Sequence, residues 1–127
     1  MSNFFSKFVK LWLPVLIWAS FIFYLSAVPY LSSGLEKFWD VILRKIGHIF
    51  VFAVLFLLLA RPLKKSLKWA LILSLLYAVS DEWHQSFTPG RSPGLADLCF
   101  DFAGVFLGYL FWPLILESKY KFKKFLN

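Results

Sequence analysis

The chain has 127 residues, of which 60% are hydrophobic and 21% aromatic, and its mean hydropathy is +0.69. That excludes an ordinary soluble domain, in which apolar residues make up about half. The formal charge of +7 does not point to nucleic acid, because the basic residues cluster at the ends of apolar runs, and the single Cys99 excludes an internal disulfide framework.

Lys7 and Lys10 precede an uncharged run over residues 11–31. It is long enough to cross a bilayer, which takes about 20 residues. A signal peptide competes for this stretch, with Ser26-Ala27-Val28 as a cleavage-like site. The run, however, is longer than the usual apolar core of about 7–15 residues. Pro14 near its start is either tolerated in the first turns or kinks the helix. Pro29, Ser32, Ser33 and Gly34 then mark residues 30–40 as a loop.

A second helix is expected over residues 41–60. Its first part carries Arg44, Lys45 and His48, and the rest is apolar. Lys45, His48 and Phe52 share one face at i, i+3, i+7. Residues 61–65, Arg-Pro-Leu-Lys-Lys, end it with a short basic turn. The third helix reaches spanning length only if it runs over residues 67–85, which draws its polar end to the level of the lipid headgroups.

That end is the densest polar stretch of the chain, residues 80–91 with the sequence SDEWHQSFTPGR. Asp81, His84 and Gln85 lie at i, i+3, i+4 on one helical face, and Glu82 points about 100° away. Thr88-Pro89-Gly90 breaks the helix, so that Arg91 can fold back toward the carboxylates. Trp39, Trp83 and Phe87 read as interfacial anchors. The fourth helix is expected over residues 96–116. Asp97 and Asp101 occupy its first turns, and Gly104 and Gly108 continue the same stripe as a GxxxG pattern through which a neighbouring helix or a second copy of the chain can approach closely.

Four even spans put both termini on one side. Ten of the 14 basic residues fall there: Lys7, Lys10, Arg61, Lys64, Lys65, Lys68, Lys119, Lys121, Lys123 and Lys124. The positive-inside rule makes that side cytoplasmic. The lysines of residues 119–124 then anchor the tail to anionic inner-leaflet lipids. The reading is an all-α membrane protein, a single domain over residues 1–127, built as a four-transmembrane-helix bundle with both termini cytoplasmic. Its polar helix ends meet at the outer face, and ionisable groups at membrane depth are functional candidates.

The candidate ligand-binding residues are Lys45, His48, Asp81, Glu82, His84, Gln85, Arg91, Asp97 and Asp101. Asp81 and Glu82, on different faces, should divide the work, one pairing with Arg91 or Lys45 and the other meeting ligand. Arg91 suits a phosphate or carboxylate held by two parallel hydrogen bonds. Acid–base catalysis on a phosphorylated lipid is the alternative, with Asp81, Glu82 and His84 as candidates. Structural ion pairing is the blander reading of the same cluster. Neither HExxH nor CxxC occurs, so no metal and no cofactor are expected. The expected partners are membrane lipids, including a phosphorylated envelope lipid, with no nucleic acid, and a homo-oligomer through Gly104 and Gly108.

The order Lys45-x-x-His48, Ser80-Asp81-Glu82-x-His84-Gln85-x-Phe87-x-Pro89-Gly90-Arg91, Asp97 and Gly104-x-x-x-Gly108 resembles the VanZ-like family of small bacterial membrane proteins. The likeness runs from Ser26 to about Gly108, and the central DEWHQ…PGR block is its specific part. Asp101 departs from the pattern, which more usually has Asn before the glycine. The resemblance implies a cell-envelope role, since the founding member is linked to resistance against teicoplanin, a lipoglycopeptide that acts on peptidoglycan precursors outside the cell. It implies no particular reaction.

Overall fold

The computed structural model describes residues 2–29, 32–92 and 94–126, and all regular structure among them is α-helical. There are four helices: α1 (Ser2–Ala27), α2 (Lys37–Ala60), α3 (Leu67–Gln85) and α4 (Leu95–Leu126). The third has the bounds read from its sequence. The other three are longer than their apolar runs. Nothing in residues 2–10 stops a helix, so α1 already begins at Ser2 and Pro14 lies in mid-helix rather than in a first turn. The loop before α2 ends earlier than Asp40: Asp40 sits in the first turn of α2, where its carboxylate suits the helix dipole and accepts from Ser33 N–H at 2.6 Å. Tyr30 and Leu31, assigned to that loop and to the end of the first span, lie outside the described residues. α4 runs on through the basic tail, where Glu117 and Lys121 pair at i, i+4 over 2.7 Å.

Three of the helices, α1, α2 and α4, are long and apolar enough to cross a membrane. α3 is not among them, because its 19 residues include Lys68, Asp81 and Glu82. The outer faces of α1 and α4 are apolar as well as the inner ones: Leu13, Leu16 and Ile17 on α1 and Leu110, Phe111 and Leu114 on α4 are exposed. A helix apolar all round belongs in a core or in lipid, and these faces have no protein against them among the described residues.

Each helix buries one stripe at helical spacing. On α2 it is Phe52, Leu55, Phe56 and Leu59. On α3 it is Ala70, Ser74, Ala78, Asp81 and Gln85. On α4 it is Asp101, Gly104, Val105, Gly108 and Trp112. On α1 it is Val15, Ile22 and Ser26. The stripes of α1, α3 and α4 end in polar residues, and on α2 His48 stands one turn before Phe52. The polar residues are thus continuations of the core, not additions to its surface.

α2 and α4 form the most extensive interface; α1 packs on α2 and α3 and does not meet α4 among the described residues. The glycine pair decides the α2–α4 distance. A Cβ on Gly104 would collide with the Ile49 carbonyl, and one on Gly108 would come 2.8 Å from the Ala53 carbonyl. The stripe expected to admit a neighbouring helix does so, but the neighbour is α2 of the same chain. It is therefore covered rather than open to a second copy. Two side-chain donors tie α1 to its neighbours across otherwise apolar interfaces: Trp18 Nε1 donates to Val51 O at 2.8 Å, and Tyr77 OH to Ala19 O at 2.5 Å. Such bonds to main-chain carbonyls fix register where packing alone is permissive.

Candidate functional site

The polar ends of all four stripes meet at the end of the bundle formed by the C-termini of α1 and α3 and the N-termini of α2 and α4. Asp81 and Asp101 are both buried, at 4% and 0% exposure. Burial of a carboxylate demands partners, and the two find different ones. Ser26 on α1 donates to Asp81 Oδ1, and Gln85 Nε2 donates to Asp81 Oδ2 at 2.9 Å. Asp101 Oδ1 shares a hydrogen bond of 2.5 Å with His48 Nδ1. One turn further out, Lys45 Nζ and Asp97 Oδ1 pair at 3.2 Å, with the Lys45 ammonium also 4.7 Å from the Phe100 ring centre. The shared faces read from spacing, Lys45 with His48 and Asp97 with Asp101, thus lie against each other as a two-rung ladder between α2 and α4.

Arg91 departs from expectation. Among the described residues it forms no ion pair. Instead Nη2 donates to Leu25 O at 2.7 Å and Nε to Val28 O at 3.3 Å. The reason lies in helix termini: the last carbonyls of α1 have no partner within the helix and carry its negative dipole end. The turn that aims Arg91 is legible in the sequence. Pro89 sets the second position, Gly90 takes the positive φ of 76° required at the third, and Arg91 N–H closes the turn on Thr88 O at 3.2 Å. Thr88 Oγ1 also donates to Ser26 O at 2.8 Å, so the turn is stitched to α1 twice. Burial, and then repulsion from the Arg44 guanidinium, lower the Arg91 pKa from the ordinary arginine value. The group stays charged, since arginine is not deprotonated in proteins.

Asp81 and Glu82 are inequivalent, as their faces require, but neither pairs with Arg91 or Lys45. Glu82 Oε1 accepts from Gly94 N–H at 2.8 Å and so holds the start of α4 to the end of α3. His84 lies flat against Phe23 of α1, ring centres 4.1 Å apart. Three buried atoms have no hydrogen-bond partner among the described residues: Glu82 Oε2, His84 Nδ1 and Asp101 Oδ2. Native interiors carry few such atoms.

Where α1, α2, α3 and the Arg91 turn converge there is a cavity of about 90 Å³. Four of the predicted site residues line it: His48, Asp81, Gln85 and Arg91. Lys45, Glu82, His84, Asp97 and Asp101 do not; Asp101 stands behind His48, and Glu82 and Lys45 tie helices together. Two further lining residues carry chemistry that the sequence reading passed over, Ser26 and Arg44. Arg44 lies on the wall while Nη2 pairs with Asp40 at 3.2 Å. A small hydroxyl in an uncharged run carries no signal by itself. The remaining wall is apolar, with Ile22, Leu25, Val51 and Phe52.

The cavity wall thus combines two guanidinium groups, an imidazole braced by a carboxylate, the Asp81 carboxylate and an apolar flank. Among the described residues no set of three or more His, Cys, Asp or Glu side chains comes together to hold a metal ion.

The VanZ/LLP1 family model matches residues 8–116, most of the chain. The chain belongs to the VanZ/LLP1 family. No curated protein and no solved structure is significantly similar to it. Membership, together with the three apolar helices, makes this a membrane protein of the VanZ/LLP1 family. The family match takes in the Arg91 turn, the helix ends around the cavity and both glycines that seat α4 on α2.

Proposed function

We propose that this VanZ/LLP1-family protein crosses the cell membrane four times, with both termini in the cytoplasm, and uses the cavity at its outer face to bind a phosphorylated envelope lipid or precursor. In doing so it lowers susceptibility to lipoglycopeptides such as teicoplanin. The observation that carries the reading is the composition of the cavity wall: Arg44 and Arg91 beside His48, Asp81 and Gln85, with an apolar flank. Guanidinium groups favour phosphate and carboxylate oxygens. Crossing by α3 is part of the proposal, since its charged end lies among polar partners rather than in open lipid.

The test is the teicoplanin susceptibility of a sensitive Gram-positive host that expresses wild type, Arg44→Gln, His48→Ala, Asp81→Asn or Arg91→Ala at matched membrane levels. Each substitution is expected to abolish protection. Where wild type itself gives no protection, retention of a phosphorylated isoprenoid lipid by the purified protein is the readout, and the same four variants are expected to lose it. Full activity in all four would leave the cluster as structure only.

A second reading, a small enzyme acting on a phosphorylated lipid, is favoured by one contact. Asp101 braces His48 Nδ1, which leaves Nε2 as the nitrogen that can exchange a proton with a ligand. His48 replaces His84 as the acid–base candidate under this reading. Incubation of the purified protein with the phosphorylated lipid, followed by mass spectrometry of the lipid, separates the two. Turnover that His48→Ala removes establishes the enzyme; an unchanged lipid that is nevertheless retained supports the binding protein.

A further inference from the structure

The opposite end of the bundle holds a second and larger cavity, of about 540 Å³, between the first turns of α1 and the α2–α3 turn. Four cations border it: Lys7 from α1, and Arg61, Lys64 and Lys65 from the turn. No acidic side chain lines it, and none of the four forms an ion pair among the described residues. Apolar side chains make up much of the rest of its wall, among them Leu63 and the tilted pair Phe8 and Trp12, ring centres 6.1 Å apart.

Positive charge at the cytoplasmic end of a membrane protein is expected from topology alone. That rule asks only for the number of basic residues near the helix ends. It does not ask that cations from two segments far apart in the sequence converge on one concave surface. Four like charges around a single hollow repel one another, and a bound anion relieves the repulsion. An apolar wall bordered by cations matches the two parts of a phospholipid.

We propose that this cavity binds one anionic phospholipid, its phosphate and acidic headgroup among Lys7, Arg61, Lys64 and Lys65, and the start of an acyl chain against Phe8 and Trp12. The site is independent of the cavity at the other end and separates the protein's fixed lipid from its ligand. Basic pockets between membrane helices are established binding places for such headgroups in general.

The test is native mass spectrometry of the purified protein released from nanodiscs of equal parts phosphatidylglycerol and phosphatidylcholine. Wild type is expected to keep one phosphatidylglycerol in preference to phosphatidylcholine. Lys7→Gln/Lys64→Gln should lower that retention by at least about tenfold, two charges each being worth roughly fivefold near an anionic headgroup. It keeps Arg61 and Lys65, so the charge bias that sets topology remains. Lys121→Gln/Lys123→Gln, with the same change of net charge in the exposed tail, should lower it no more than about twofold. Arg44→Gln/Arg91→Gln should leave it in place. Equal retention of the two lipids by wild type would overturn the proposal even if no variant folds. Equal losses in the Lys7/Lys64 and tail variants would overturn it too, as would complete displacement of the lipid by inorganic phosphate, which would assign the cavity to a free anion.

Discussion

At the residue scale the centre of interest is how two buried carboxylates are tolerated. Asp81 is satisfied by Ser26 and Gln85, so Ser26→Ala should cost about 1 kcal/mol of stability, the usual net worth of a buried hydrogen bond. A double-mutant cycle of Ser26→Ala with Asp81→Ala, read by thermal unfolding in detergent, should show a coupling of at least about 0.5 kcal/mol. Additive losses would mean that the two side chains do not meet. Asp101 bonds His48 through one oxygen only. Asp101→Asn keeps an acceptor for that bond and should fold with a loss below about 1 kcal/mol, whereas Asp101→Leu strands a buried imidazole nitrogen and should cost about 1–3 kcal/mol. Arg91 spans two main-chain carbonyls, so an Asp81→Arg/Arg91→Asp exchange should rescue neither single variant. Rescue in the same unfolding assay would restore the Asp81–Arg91 pair that the geometry denies.

At the element scale the α2–α4 pair is the rigid part of the molecule. Its backbones touch because Gly104 and Gly108 carry no side chain, and the obstacle facing Gly104 is main chain that cannot rotate away. Gly104→Val should therefore destabilise by about 1–3 kcal/mol or more and should spread the Lys45–Asp97 and His48–Asp101 rungs on the same interface. A thermal midpoint equal to wild type would show that the helices do not approach as described. The outer rung matters far less. Lys45 and Asp97 are each partly exposed, at 31% and 25% of their side chains, and Lys45→Ala should cost under about 1 kcal/mol. The same interface thus separates a contact that decides packing from one that decorates it.

At the scale of the whole molecule the unequal charge of the two ends is decisive. One end gathers Asp81, Glu82, Asp97 and Asp101, and the other gathers the cations of α1, of the α2–α3 turn and of the α4 tail. Positive-inside orientation then predicts an extracytoplasmic Arg91 turn and a cytoplasmic α2–α3 turn. Single cysteines at Ser92 and Ser66, in a Cys99→Ser background, test this with a membrane-impermeant thiol reagent on intact cells. Labelling at Ser92 alone is expected. Labelling at Ser66 alone would invert the molecule and place the cavity of Arg44 and Arg91 inside the cell.

Most of the helical framework could be read from local pattern, because an apolar run of spanning length and a 3.6-residue period need no partner to be recognised. That is why Lys45 with His48 and Asp97 with Asp101 share faces as read. Periodicity places a side chain around its own helix. It does not say which neighbour that face meets, or at what height. Only the packing of α1 against α3 brings Ser26, a hydroxyl in an uncharged run, to Asp81. Only the position of the C-terminus of α1 turns Arg91 from the carboxylates to Leu25 O and Val28 O, since main-chain carbonyls at a helix end leave no mark in a sequence of side chains. The glycine stripe was legible as a place of close approach; that α2 fills it was decided by the tertiary fold, in which the Ile49 and Ala53 carbonyls come up against the two glycines.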